Sequence, residues 1–148
     1  MPRINNLDLL RPDIRAACEE QMRTLSKQHG IVTILFETYR SPDVQLAYYM
    51  QGREPLDAVN AQRKKAGLYL LGDDENKRIV TNAKTSEYHG AGRAYDLVPA
   101  RYVKGVLQPW WDAPTAVWET MGTVGEKLGM TWGGRWKSFK DSPHYQKD

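Results

Sequence analysis

The sequence predicts an α+β fold in which helices pack on a small, mainly antiparallel sheet. Two amphipathic helical patterns, at residues 13–29 and 112–128, flank two apolar strand patterns at residues 31–36 and 93–98. The chain has 148 residues and is 41% hydrophobic, which is enough for one hydrophobic core and too little for two. We therefore expect a single domain that spans residues 1–148.

The first helix and the first strand follow each other directly. Five apolar residues recur at helical spacing in the first helix: Ile14, Ala17, Cys18, Met22 and Leu25. Gly30 is placed to end this helix. The following segment, residues 31–36, is rich in β-branched and apolar residues, as in a buried strand. Because residues 37–40 continue this strand, Arg40 is expected at its end.

A second helix is predicted to begin at Ser41 and Pro42, which suit an N-cap and a first helical turn. Its pattern fades near Gly52. Residues 52–65 are polar and predict one or two helical turns, and residues 72–78 resemble an exposed loop. Such a long excursion in a small domain either covers a binding cleft or is mobile, and the sequence leaves both open.

The second half of the chain predicts one strand, one helix and a final turn. Residues 93–98 alternate so that Asp96 shares a strand face with its small neighbour Ala94. Asp112 is predicted to cap the last helix, which Gly129 ends. Residues 130–136 then predict a short extended segment that ends in a turn.

Composition excludes several classes of function. The formal net charge of +3 is carried by scattered lysines and arginines, which argues against a nucleic-acid groove and allows a weak attraction to an anionic polymer. No apolar run reaches membrane-spanning length and no signal-peptide pattern is present, so we expect a cytoplasmic monomer without membrane insertion. The single cysteine excludes an intramolecular disulfide and a cysteine-rich metal site.

Two stretches, residues 89–96 and 141–144, combine histidines with carboxylates. His89, His144 and Asp96 supply the two imidazoles and one carboxylate of a catalytic zinc site, and Asp141 remains available as a general base. Gly90 and Gly92 favour a loop followed by a strand over a helix here. Taken singly, either histidine is more often an ordinary surface residue.

The same three ligands also form the facial triad of non-haem iron oxygenases. Those enzymes typically place one residue between the first histidine and its acid. Six residues separate His89 from Asp96. The spacing therefore favours Zn²⁺.

These motifs resemble those of the zinc D-alanyl-D-alanine peptidases, a family that includes L-alanyl-D-glutamate endopeptidases used as bacteriophage endolysins. The family pattern is roughly S-x-H-x-x-G-x-A-x-D, then W-G-G-x-W, then [DE]-x-x-H. The chain supplies these positions with His89, Gly92, Ala94, Asp96, Trp132 to Trp136, Asp141 and His144. The resemblance covers residues 37–146 and implies a fold like that of the Hedgehog proteins and D-alanyl-D-alanine peptidases.

By this resemblance, His89, Asp96 and His144 bind Zn²⁺, Asp141 is the general base, and Arg40 points into the site. Arg40 would stabilise an oxyanion or bind a substrate carboxylate; the alternative is a structural salt bridge to Glu37 or Asp43. A further list of candidate substrate-binding residues comprises Ser86, Glu87 and Trp136. The chain departs from the pattern where Glu87 replaces the expected serine and Ser86 is displaced by one position.

The resemblance implies a bacteriolytic hydrolase whose substrate is the peptidoglycan stem peptide. The preferred hypothesis is a phage endolysin that waits in the host cytoplasm, is released to the cell wall and cleaves the L-alanyl-D-glutamate bond during host lysis. One alternative is a D-alanyl-D-alanine carboxypeptidase or dipeptidase. The other is a non-catalytic wall-binding module with a structural metal.

Overall fold

The helices and strands follow the predicted α+β order, with extra elements in the middle of the chain. The computed structural model describes residues 3–85 and 87–148. The helices are α1 (Pro12–His29), α2 (Pro42–Met50), α3 (Leu56–Lys65), α4 (Glu87–Gly90) and α5 (Thr115–Lys127). The strands are β1 (Thr33–Glu37), β2 (Ala94–Val103), β3 (Val106–Pro109), β4 (Thr131–Trp132) and β5 (His144–Gln146). Short 3₁₀ turns occupy Leu7–Leu9, Glu75–Lys77 and Gly133–Arg135.

Strand β2 organises the sheet. It pairs antiparallel with β1 along one edge and with β5 along the other, while its distal half pairs with β3. Strand β4 extends the sheet beyond β5, which gives the order β1-β2-β5-β4. The small, antiparallel sheet predicted from the sequence is therefore confirmed, and β2 is its longest strand.

The core lies between the sheet and the pair of helices α1 and α5. Tyr95 and Tyr145 stack across β2 and β5 with ring centroids 5.4 Å apart. The Tyr95 hydroxyl donates to Gln21 Oε1 (2.5 Å), and Gln21 Nε2 donates to the Met121 carbonyl oxygen (3.0 Å). Because a buried amide needs partners, this chain of hydrogen bonds fixes α1, β2 and α5 relative to one another.

Several local predictions need correction. Asp112 does not cap α5, because the helical hydrogen bonds begin at the Pro114 carbonyl, which accepts from the Val117 amide. Residues 52–65 form more than one or two turns: α3 has ten residues, with Val59 fully buried and basic residues in its last turn that favour the helix dipole. The β2–β3 hairpin, turning at Lys104 and Gly105, was missed.

The excursion of residues 52–85 borders a cavity, which is lined by residues between Arg63 and Thr81. Part of this segment is a 3₁₀ turn at Glu75–Lys77 rather than a simple loop. Throughout the described ranges, no helix is both long and apolar enough to cross a membrane.

Gly122 provides a test of the packing between α5 and the sheet. A Cβ atom at this position would lie 2.2 Å from the Trp132 ring, so Gly122→Ala must displace the indole or the helix. Overpacking of this kind should lower the free energy of unfolding by roughly 1–3 kcal/mol, measured by chemical denaturation. Gly72→Ala is the matched control, since its Cβ would have only one neighbour, at 4.0 Å. Equal stability of the two variants would contradict the packing described.

Candidate metal centre and active site

The site is built on a row of residues that crosses three strands. Asp96 on β2 is paired in register with Glu37 on β1 and with His144 on β5. A register shift in β1 between Leu35 and Glu37 accompanies this alignment. Because residues opposite each other in a sheet share a face, the pairing brings two acids and a histidine together.

Asp96 is the centre of this row and is 6% exposed. Its Oδ1 atom lies 3.1 Å from His144 Nδ1 and 3.4 Å from His89 Nε2. Burial alone would raise the pKa of Asp96, but the neighbouring imidazoles of His144 and His89 outweigh burial and hold its pKa well below the usual range. Asp96 is therefore an ionised acceptor inside the protein.

His89 reaches Asp96 from α4, a single helical turn, and not from the loop that the glycines predicted. Gly90 is the last residue of this turn. Gly92 follows with φ +71°, and a Cβ there would lie 2.7 Å from the Leu9 carbonyl oxygen, so close contact with the N-terminal segment accounts for this glycine. The predicted strand does follow at Ala94, but Gly92 is needed for the packing of this turn against the N-terminal segment.

The two nitrogens of His89 have different environments. Nδ1 lies 3.3 Å from the carbonyl oxygen of the buried Thr38 and is placed to donate to it. Nε2 is buried and has no hydrogen-bond partner among the described residues. An Nδ1–H donor leaves a lone pair on Nε2, which is the arrangement of a metal-ligating histidine.

His144 has the opposite arrangement. Its Nδ1 faces Asp96, while its Nε2 lies 2.7 Å from Gln146 Oε1. His144 and Gln146 are two positions apart on β5, so their side chains lie on the same face of the strand. The Gln146 amide oxygen can therefore accept from Nε2–H of His144, which leaves the Nδ1 lone pair directed into the site. Gln146 was missed in the sequence, although its position two residues after His144 on a strand was a usable signal.

The donor set fits a divalent metal ion. One ligand atom each from His89, Asp96 and His144 lie within 4.8 Å of one another, and all three residues are buried. The unpartnered His89 Nε2 would gain a partner in such an ion. Two imidazoles and one carboxylate match a catalytic zinc site with an open position, so the predicted ligands are brought together.

Asp141 is held beside this cluster by the Trp132–Trp136 motif. Its amide donates to the Gly133 carbonyl oxygen (3.0 Å), and Trp132 Nε1 donates to the Ser142 carbonyl oxygen (2.7 Å). A Cβ on Gly133 would lie 2.4 Å from the Asp141 carbonyl oxygen, so the glycine is needed for this approach. Burial, and secondly the charge of Asp96, raise the pKa of Asp141. A raised pKa makes a carboxylate a stronger base.

Arg40 combines the two interpretations offered by the sequence. Its Nε donates to Glu37 Oε1 (3.0 Å) and its Nη1 donates to Gln45 Oε1 (2.9 Å), so the salt bridge to Glu37 exists. Asp43 pairs with Lys65 instead. Nη2 of Arg40 lies 3.9 Å from Asp96 Oδ2, which places the guanidinium at the edge of the metal cluster.

Two cavities meet at this centre. The first, here called the large arm, has a volume of about 560 Å³ and runs from Asp96 towards Trp111 and Arg78. The second, the small arm, has a volume of about 140 Å³ and is lined by His89 and His144. Arg40, Thr81 and Asp141 line both cavities.

Two of the three remaining predicted substrate-binding residues lie on the small arm. Glu87 and Trp136 both line it, and the Trp136 ring centroid is 5.3 Å from that of His144. Ser86 lies outside the described residues. The sequence analysis named the buried Glu37 as a possible partner of Arg40 but missed two other buried residues that support the site, Thr38 and Gln45.

This fold and its buried His-Asp-His cluster beside an acid are compatible with a peptidase, which is the class that the comparisons with known proteins support. A family model described as "D-alanyl-D-alanine carboxypeptidase" matches residues 81–147, a range that contains the three candidate ligands and Asp141. The resemblance seen in the sequence is thereby confirmed.

Two relatives and one solved structure place the chain more closely. The peptidoglycan L-alanyl-D-glutamate endopeptidase CwlK of Bacillus subtilis (strain 168) is 27% identical over 135 residues, covering 86% of this chain and 67% of the relative. The L-alanyl-D-glutamate peptidase of Listeria phage A118 is 26% identical over 141 residues, covering 95% of this chain and 39% of the relative. The crystal structure of the Serratia marcescens L-Ala D-Glu endopeptidase ChiX shares the fold, with a TM-score of 0.51, 20% identity and coverage of 99% of this chain and 90% of that one.

Gln146 offers a test of how the cluster is oriented. Gln146→Ala removes the acceptor that holds His144 Nε2, so the affinity for Zn²⁺ should fall about 10- to 100-fold. Gln146→Glu keeps an acceptor and should largely restore binding. Competition with a chromophoric chelator measures the affinity, with Gln108→Ala on the exposed hairpin as control. Unchanged affinity in Gln146→Ala would show that this hydrogen bond does not orient the ligand.

Proposed function

We propose that the protein is a zinc-dependent endopeptidase that hydrolyses the L-alanyl-D-glutamate bond of peptidoglycan stem peptides. The observation that carries this proposal is the pair of cavities that meet at Arg40 and Asp141, beside the His-Asp-His cluster. An endopeptidase must accommodate substrate on both sides of the cleaved bond. The names of the Bacillus and Listeria phage relatives support the choice of bond.

In the proposed mechanism, His89, Asp96 and His144 would hold the zinc ion. When bound there, such an ion would supply Lewis-acid chemistry to a water molecule and the substrate carbonyl. Asp141 accepts a proton from the attacking water and then delivers it to the leaving amine. The Asp141 carboxylate lines both arms of the cleft, so it is placed to reach both groups.

Arg40 would stabilise the negative charge that develops on the carbonyl oxygen. The guanidinium is half-buried and fixed by Glu37 and Gln45, so it needs little reorganisation during the reaction. Burial opposes its charge, but Glu37 outweighs burial and raises the pKa of Arg40. Arg40 therefore stays protonated throughout.

The phage relative supports a role as an endolysin. In this role the protein would remain in the host cytoplasm until it is released to the cell wall. There it would lyse the host by cutting the stem peptides. A basic pI of about 9.0 favours contact with an anionic envelope.

A carboxypeptidase or dipeptidase specific for D-alanyl-D-alanine is the second candidate, because the matching family model bears that description. Such an enzyme requires a closed end at which the terminal carboxylate is bound. The large arm instead continues past Arg40 to exposed residues such as Trp111 and Val80, which favours the endopeptidase.

Asp141→Asn tests the catalytic assignment. The variant should retain one zinc ion per chain, since Asp141 is outside the ligand set, while kcat falls at least 100-fold because the base is lost. Zinc content is measured by mass spectrometry of the metal, and the products by mass spectrometry of digested muropeptides. Asp8→Asn is the control, since Asp8 is an exposed acid on the N-terminal 3₁₀ turn.

A new L-alanine C-terminus in the digest identifies the endopeptidase. Release of free D-alanine without that cut would establish the carboxypeptidase. Full lytic activity of Asp141→Asn with zinc bound would eliminate Asp141 as the base, and absence of lysis by every variant and the wild type would favour a non-catalytic module.

A further inference from the structure

The two arms of the cleft differ in charge. Beyond the catalytic centre, the large arm is lined by Arg3, Arg63 and Arg78 and by one acid, Glu75. The acid that lines the small arm outside the centre is Glu87. A substrate with carboxylates on one side of its cleaved bond would therefore bind preferentially in one orientation.

The arginines of the large arm are not equally available. Arg3 pairs with Glu37 at 3.1 Å, and Arg63 is 3% exposed and donates to the Tyr69 carbonyl oxygen (2.6 Å). Arg78 is exposed, and within the described ranges no carboxylate lies within 4 Å of its guanidinium. It thus supplies a positive charge that the fold itself does not use.

The acid of the large arm does not cancel this charge. Glu75 accepts hydrogen bonds from the Gly72 amide (3.1 Å) and the Tyr69 hydroxyl (3.4 Å), so its carboxylate is engaged with its own loop. The backbone next to Arg78 is also fixed, because a Cβ on Gly52 would lie 2.8 Å from the Ile79 side chain. Arg78 is therefore presented by a segment packed against the end of α2.

The proposed substrate also carries its charge unequally on the two sides of the cleaved bond. D-Glutamate has two carboxyl groups, of which one continues the peptide, so the other remains ionised on the C-terminal side of the cleaved bond. We propose that the large arm binds this leaving side of the stem peptide through the free carboxylate of its D-glutamate, with Arg78 as the ion-pair partner. The inference rests on the proposed function and adds the direction in which the peptide lies.

The apolar lining of the large arm supports this placement. Ile79, Val80 and Trp111 are all partly exposed to solvent along the cleft. An apolar wall lowers the dielectric beside a guanidinium–carboxylate pair, whose hydrogen bonds are charge-assisted. By contrast, the carboxylate of Glu87 would repel an anionic segment from the small arm.

The test uses two synthetic stem peptides that contain the L-alanyl-D-glutamate bond. They are identical except that one carries an amide in place of the free D-glutamate carboxylate on the leaving side. The zinc-loaded wild-type chain should show a KM roughly two- to fivefold higher for the amidated peptide, with kcat little changed. The difference should shrink as ionic strength rises.

Arg78→Gln should raise KM for the carboxylate peptide to the value for the amidated one, and Arg78→Lys should retain part of the discrimination. Arg23→Gln, an exposed arginine on α1, is the control and should match the wild type. Equal KM values for the two peptides in the wild type, or full discrimination in Arg78→Gln, would overturn the inference.

Mass spectrometry of the products separates this inference from the proposed function. Cleavage after L-alanine with no preference between the peptides refutes only the placement in the large arm. Failure of the wild type to cut after L-alanine in either peptide refutes the proposed function and this inference with it.

Discussion

The burial of the Asp96 carboxylate is the constraint on which the site depends. An ionised carboxylate inside a protein is costly unless charges and hydrogen bonds compensate it. The compensation comes from the more distant Arg40 after β1 and from His144 on β5 and His89 on α4, either as protonated imidazoles or together with a metal ion bound in place of those protons. Each of these comes from a different element, so the sheet register, the turn of α4 and the end of β1 must all be correct together.

A second layer of residues holds Arg40, His89 and His144 in position around Asp96. Glu37 is buried between Arg3 and Arg40, Thr38 contacts His89, and Gln146 contacts His144. A second set, made of Gly133 and the Trp132 indole, holds Asp141 close by without placing it among the ligands. Backbone packing and hydrogen bonds thus keep Asp141, the candidate base, apart from Asp96, the candidate ligand.

Much of this could be predicted from the sequence where the signal is local and periodic. Strand geometry accounts for the alternation of side chains around Asp96, and helix geometry accounts for the apolar residues at helical spacing in α1. The spacing of the two histidine motifs was likewise visible in the sequence. The turn of α4 could not be predicted, because a four-residue helix containing Gly90 is stabilised by its tertiary contacts and not by its propensity. Gln146 was overlooked because only the pairing of β5 shows that its amide meets His144.

The segment with the weakest sequence signal, residues 52–85, lies along the cleft and supplies Arg63 and Arg78. Segments that recognise substrates are commonly loops held by a rigid scaffold. Their residues are selected for contacts with the ligand, so they show little helix or strand periodicity. The scaffold here is the β1-β2-β5 row, which sets the catalytic centre between two unequal arms.

X-ray absorption spectroscopy of the protein loaded with one equivalent of Zn²⁺ tests the central claim most directly. The account predicts a first shell of nitrogen and oxygen only, with multiple-scattering features of two imidazoles, and loss of one imidazole in His89→Ala. A sulfur ligand, fewer than two imidazoles in the wild type, or a spectrum unchanged by His89→Ala would contradict the assignment of His89, Asp96 and His144.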